Sequence, residues 1–231
     1  MKRIKGQNNS MSVKLDDLLQ FDPLTLNQEI AYKAWDEGDN LVLTGTAGTG
    51  KTFMALYLAL EDVLDKDSEW DNLVIVRSMV PTRDMGFLPG TKAEKEEAFT
   101  TPYKNICSEL FGDKTSYNKM ITANVIKFES TSFIRGTTFD NTILVVDEMQ
   151  NLNFHELDSV ITRVGRNSKI IFCGDYKQSD FKYDDEKQGI VKFLQIVEQL
   201  KNFSIVNFGW EDIVRSDFVR DYIMTKEMLG Y

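Results

Sequence analysis

The chain has 231 residues, 42% of them hydrophobic, which suffices for one sizeable core and argues against a disordered protein. Its 27 basic and 36 acidic residues give a net charge of -9, which excludes a generally basic, phosphate-binding surface, so any nucleic-acid contact has to be focused on local basic side chains. Two distant cysteines, Cys107 and Cys173, without partners at metal-ligand spacing, point to reduced buried thiols in a cytoplasmic protein rather than a disulfide or zinc site, and no apolar run approaches the roughly 18 residues of a membrane span.

The opening "MKRIKGQNNS" is polar, with no signal-type apolar core behind it, so residues 1–20 are expected to be a flexible segment ahead of a single domain over 21–231. Residues 24–35 predict a short amphipathic helix entered through "DPLT". A strand over 40–44 ("NLVLT") precedes a helix over 52–64, and a second strand, 72–76 ("NLVIV"), runs into the long irregular segment "RSMVPTRDMGFLPGTK". A helix over 93–111 and a weaker strand over 125–129 follow. The strand "TILVVD" (142–147) leads to a helix over 154–163, and "KIIFC" (169–173) to a helix over 189–200; a weaker strand at 204–207 and a helix over 212–228 close the chain. The four strong runs are apolar on both faces, which suits a mainly parallel sheet covered by helices. A three-layer α/β/α fold results, with its ligand outside the carboxyl ends of the strands.

Directly after the first strong strand stands "GTAGTGKT", comprising Gly45, Thr46, Ala47, Gly48, Thr49, Gly50, Lys51 and Thr52. It fits G-x-x-x-x-G-K-[ST] between a strand and a helix, the context of a phosphate-cradling P-loop. Glycines let the backbone wrap phosphate oxygens, Lys51 reaches the β and γ phosphates, and the Thr52 hydroxyl is a ligand for Mg²⁺.

Asp147 and Glu148 end the third strong run. A strand-end aspartate there can hold the magnesium hydration shell, while the next carboxylate orients and deprotonates the attacking water, which favours hydrolysis over kinase chemistry. In "FCGDYKQSDF" a further strand leads to Gln178. Placed beside the first and the acidic strands, its neutral amide would face the γ-phosphate and sense whether it is still attached.

The ordered set of Gln28 in "LTLNQEIAYKAW", the P-loop, "DEMQN", "ITRVGRNSK" and "GDYKQSDF" closely resembles the PhoH-like ATPase family, from about residue 24 to residue 228, with "MGFLPG" and "EDIVRSDFV" adding to the likeness. That family is similar to one half of a superfamily 1 helicase. The resemblance implies a RecA-like P-loop NTPase, ATP as the nucleotide with Gln28 reading the adenine edge, and assembly into hexamers. Departures stand at Ser78, Glu156 and Ser216, where the family carries proline, glutamine and histidine. They put the loop after Arg77 and fine regulation in doubt, while every phosphate-handling residue is intact. No appended nuclease or RNA-binding domain is expected.

A helicase-type motor completes its site with an arginine from a second domain, which this reading lacks. A ring neighbour is expected to supply it in trans, from Arg215 first, with Arg163 and Arg166 as competitors. The segment 77–92, with Arg77, Arg83, Phe87 and Lys92, reads either as a pore loop for RNA or single-stranded DNA, without sequence specificity, or as a lid beside the nucleotide. The rival to a motor is a nucleotide-gated assembly module.

Overall fold

The computed structural model describes residues 13–79, 92–175 and 184–230, without the side chains of 92–96 and 184–188. Among the described residues six strands are interspersed with seven α-helices: α1 (Leu26–Asp36), β1 (Asn40–Gly45), α2 (Lys51–Leu64), β2 (Asn72–Arg77), α3 (Lys92–Phe111), α4 (Ser116–Thr122), β3 (Ile126–Ser130), β4 (Thr142–Val146), α5 (Phe154–Ile161), β5 (Lys169–Gly174), α6 (Asp184–Val197), β6 (Phe203–Phe208) and α7 (Asp217–Met228). The strands form one sheet in the order β3-β2-β4-β5-β1-β6. Every pairing is parallel. Because β5 lies between β1 and β4, the P-loop and the Asp147–Glu148 pair are brought to either side of its carboxyl end.

The core explains why both faces of the central strands are apolar. On one face Leu41, Leu43, Ile75, Val145 and Ile171 pack with α1, α2, α3 and α4. On the other, Val42, Val74, Val146 and Phe172 pack with α5 and α6. Two such layers on a parallel sheet give the expected α/β/α sandwich. Among the described residues no helix is long and apolar enough to cross a membrane. Both cysteines are buried and free.

Four details depart from expectation. The segment expected to be flexible up to residue 20 is tethered over 13–20: Val13 and Leu18 pack on the core, and Leu19 N donates to Leu110 O at 2.9 Å. Helix α4 was not anticipated; its Tyr117 and Met120 are buried against the same core as α3, so tertiary contact rather than sequence period holds this seven-residue helix. Helix α5 stops at Ile161 instead of 163 because Arg163 O and Gly165 N are both taken by the backbone of Phe139. The helix expected from residue 212 starts at Asp217. The Asp212 carboxylate is committed to Gly209 N (2.8 Å) and Asn27 Nδ2 (2.7 Å), and Val214 N donates to Gly48 O at 3.1 Å, so the backbone is drawn to the P-loop before the helix can begin.

At the amino ends of the strands, Lys169 locks α1 to β5. Its Nζ donates to Trp35 O at 2.9 Å and lies 3.3 Å from the Trp35 ring centroid. Burial pulls its pKa from 10.5 down to about 8, against the opposing charges of Asp62, Asp36 and Asp39. Between those values the unfolded chain holds a proton that the folded chain lacks. This group therefore adds stability as pH rises through the window and withdraws it as pH falls towards 8. Lys169→Met is expected to remove that slope, which denaturant unfolding of both proteins at pH 8 and pH 10 measures; parallel pH responses would refute the attribution.

Candidate active site

The carboxyl ends of β1, β4 and β5 open into a cleft of about 720 Å³ whose lining includes Gln28, residues 47–54, Arg77, Asp147, Glu148, Gln150, Asp175 and Arg215. Its volume lies within the range of small-molecule sites. The P-loop wraps it with three glycines in the left-handed region, Gly45, Gly48 and Gly50, the last serving as N-cap of α2. The Lys51 ammonium is held by the loop itself, donating to Gly45 O (2.8 Å), Thr46 O (2.7 Å) and Thr49 Oγ1 (3.3 Å). Burial lowers its pKa, opposed by the charges of Asp175, Cys173, Glu148 and Asp147.

Across the cleft, the Thr52 hydroxyl donates to Asp147 Oδ1 at 2.8 Å. The two side chains expected to meet at a magnesium ion are thus already in contact. Among the described residues no group of three or more His, Cys, Asp or Glu side chains could hold a metal. A hydroxyl and a carboxylate are hard oxygen donors, and Mg²⁺ is ordinarily bound by one or two protein oxygens, substrate phosphates and water, so the pair fits that ion rather than zinc.

Glu148 adopts a left-handed backbone conformation at φ 53°, unusual for a residue with a side chain. Its carboxylate accepts from Gln150 Nε2, and Gln150 Oε1 in turn accepts from Asp175 N at 3.0 Å. Burial, then the Asp147 charge, raises the Glu148 pKa, while Arg77, Gln150 and Lys51 pull the other way. Such a carboxylate is a stronger base than an exposed one.

The PhoH-like protein family model matches residues 20–226 of this chain. The chain belongs to the PhoH-like family. Among curated relatives of this PhoH-like chain, the PhoH-like protein of Mycobacterium leprae is 28% identical over 202 residues, covering 87% of this chain and 57% of that protein. Protein PhoH of Escherichia coli is 31% identical over 186 residues, 80% of this chain and 52% of that one. Protein PhoH2 of Bacillus subtilis is 36% identical over 165 residues, 70% and 37%. The PhoH-like chain thus spans about half the length, or less, of the relatives it matches. Among solved structures, the large terminase of a thermophilic bacteriophage in complex with ADP aligns at TM-score 0.50 with 12% identity, over 89% of this chain and 50% of that one, a likeness of fold. The PhoH-like domain therefore has an α/β P-loop fold of RecA-like type.

Within this PhoH-like fold the other site residues fall as follows. Gln28 is 8% exposed and lines the cleft, but its amide is already engaged: Nε2 donates to Thr49 O at 3.0 Å, and Oε1 accepts from Leu24 N at 2.8 Å. One further donor and one further acceptor position remain on the amide, the number an adenine edge needs. Gln178 lies outside the described residues, as do Arg83 and Phe87; Lys92 begins α3. Arg215, expected to serve a neighbouring copy, stands in its own cleft: a Cβ built on Gly48 would meet its Cγ at 3.1 Å and its Nε at 3.8 Å. The bond from Val214 N to Gly48 O holds this stretch against the P-loop of its own chain. Arg163 and Arg166 sit at the other edge, beside the amino ends of β4 and β5, where Arg163 O accepts from Phe139 N and Arg166 N donates to Asp140 Oδ1.

Three residues of the site, two lining the cleft and one buried behind it, were missed by sequence reasoning. Gln150, 7% exposed, ties Glu148 to the end of β5. Arg77, read as part of a loop, ends β2 beside the acidic pair, where Tyr103, Asp147 and Glu148 outweigh burial and hold its pKa above the ordinary value. Tyr103 of α3 is fully buried and donates from its hydroxyl to Asp147 Oδ2 at 2.9 Å. For Gln150 the available signal was its place two residues beyond the acidic pair; for Tyr103 there was none.

Proposed function

We propose that this chain hydrolyses ATP with Mg²⁺ and couples the reaction to work on RNA or single-stranded DNA, as a subunit of a ring. One observation carries the hydrolytic reading: Lys51, the Thr52–Asp147 contact and Glu148 share one cleft at the carboxyl ends of three neighbouring strands. In this reading the P-loop amides and the α2 amino terminus receive the phosphates. Lys51 exchanges its loop carbonyls for phosphate oxygens, Thr52 and Asp147 would hold the metal, and Glu148 takes the proton of the attacking water. Bound there, Mg²⁺ supplies charge neutralisation at the β and γ phosphate oxygens. Arg215 and Arg77 add positive charge in cis, Gln28 is assigned to the adenine, and a cation in trans falls to Arg163 or Arg166. The bacteriophage terminase that shares the fold is an ADP complex, which supports nucleotide binding here.

A second reading, an assembly module that hydrolyses ATP to reset, is favoured by the net charge of -9 and by α7, which has no buried residue and leaves Phe218 80% exposed. Phosphate release measured with and without Mg²⁺, and with and without a poly(U) or oligo(dT) strand, separates the two. The motor reading expects Mg²⁺-dependent release accelerated by a strand; release indifferent to any strand favours the module, and no release at all removes both.

A further inference from the structure

Asp147 is bracketed by two hydroxyls. Thr52 donates to Oδ1 at 2.8 Å and Tyr103 donates to Oδ2 at 2.9 Å, and the aspartate itself is 4% exposed. The two bonds differ in what nucleotide binding asks of them. A P-loop threonine that becomes a metal ligand turns an oxygen lone pair to the ion, so the hydroxyl that donates to Oδ1 is then shared with the metal. The phenol belongs to a different element, α3, and is fully buried, so nothing in the phosphate chemistry displaces it.

The phenol proton is also committed in direction. A phenol carries a single proton, and here it goes to Asp147 Oδ2. It leaves Oδ1, and not Oδ2, as the oxygen turned to Thr52.

We propose that Tyr103 is a positioning residue of the hydrolytic site: it fixes the rotation of the Asp147 carboxylate so that Oδ1 alone is offered to magnesium and its water. The inference rests on the hydrolytic reading above and names how its metal end is held. Partners that orient a metal-binding carboxylate are typically worth about 10–100-fold in metal affinity or activity.

The test is a Mg²⁺ titration of wild type, Tyr103→Phe and Tyr103→Leu, read by binding of a fluorescent ATP analogue and, separately, by phosphate release. Tyr103→Phe keeps the ring and its packing. It is expected to bind the analogue without metal as wild type does, and to need about 10–100-fold more Mg²⁺ for the metal-dependent part of binding. Tyr103→Leu also lacks the hydroxyl and is expected to raise the Mg²⁺ requirement in the same way. A Tyr103→Phe protein with the wild-type Mg²⁺ response overturns the proposal. Should Tyr103→Phe not fold, an unchanged Mg²⁺ response in Tyr103→Leu overturns it, and a raised one supports it. A wild-type protein that shows no Mg²⁺-dependent binding or turnover sinks the hydrolytic reading itself, a result distinct from a normal wild type with an indifferent variant.

Discussion

Glu148→Gln is expected to cut phosphate release by about 10²–10⁴-fold, the usual worth of a positioned general base, while nucleotide affinity stays the same or tightens. The variant keeps the size and shape of the side chain but removes its capacity to take a proton. It also removes a negative charge from a cleft meant for phosphates, which is why affinity is not expected to fall. The local backbone gives a further reason to expect a large effect. A left-handed conformation at a residue with a side chain costs about 1–3 kcal/mol and persists where the surroundings over-determine it. Here Gln150 grips the carboxylate and is itself anchored by Asp175 N. Strain held by a specific bond at a conformationally unusual carboxylate is the pattern of a functional position rather than of a solvated turn. Single-turnover phosphate release beside equilibrium binding of a fluorescent analogue makes the measurement; a decrease of less than about ten-fold, below the range of a general base, would assign the proton to another group.

The parts of this site that lie next to each other in the chain were legible, because there the backbone itself makes the site. A strand, six permissive residues, a lysine and a helix leave few other arrangements, and the P-loop was readable down to Thr52. The central strands were legible for a similar reason: runs such as "NLVIV" are apolar on both faces because both faces are covered. What escaped depends on strand order. Arg77 meets the acidic pair because β2 lies beside β4, with Val76 opposite Val146. No local pattern states that neighbourhood, so Arg77 was read with the loop that follows it. Tyr103 reaches Asp147 from a helix 44 positions earlier. The seat of Arg215 beside its own P-loop escaped for a related reason. Its stretch "EDIVRSD" has helical character on paper, but Asp212 and Val214 commit their hydrogen bonds to Gly209, Asn27 and Gly48, which lays the arginine across its own P-loop.

The second large effect is expected at Gly45, where fold and site share one atom. Gly45 pairs with Phe208 at the end of β1 and adopts φ 110°, a region that residues with a Cβ rarely enter. An added Cβ would overlap Phe208 O and stand 2.8 Å from both Asn207 Oδ1 and Phe208 N. Phe208 O is the acceptor for Thr46 N at 3.0 Å, so the same methyl that opens the β1–β6 edge also breaks the first hydrogen bond of the P-loop. Gly45→Ala is expected to cost about 2–6 kcal/mol, combining the backbone penalty with overpacking against main chain that cannot swing aside. In a chain of this size that lowers the thermal midpoint by about 4–24 °C at the usual 2–4 °C per kcal/mol. Gly38→Ala isolates the first part. Its φ is 97° and nothing lies within 4 Å of the added Cβ, so it carries the backbone penalty alone. The difference between the two midpoints then measures the clash, and equal midpoints would refute it. Nucleotide affinity should fall in the Gly45 variant and hold in the Gly38 variant even at temperatures where both are folded, because Gly45 O is one of the carbonyls that hold Lys51. A glycine whose replacement costs stability at the sheet and affinity at the lysine is what ties the first strand to the phosphate site.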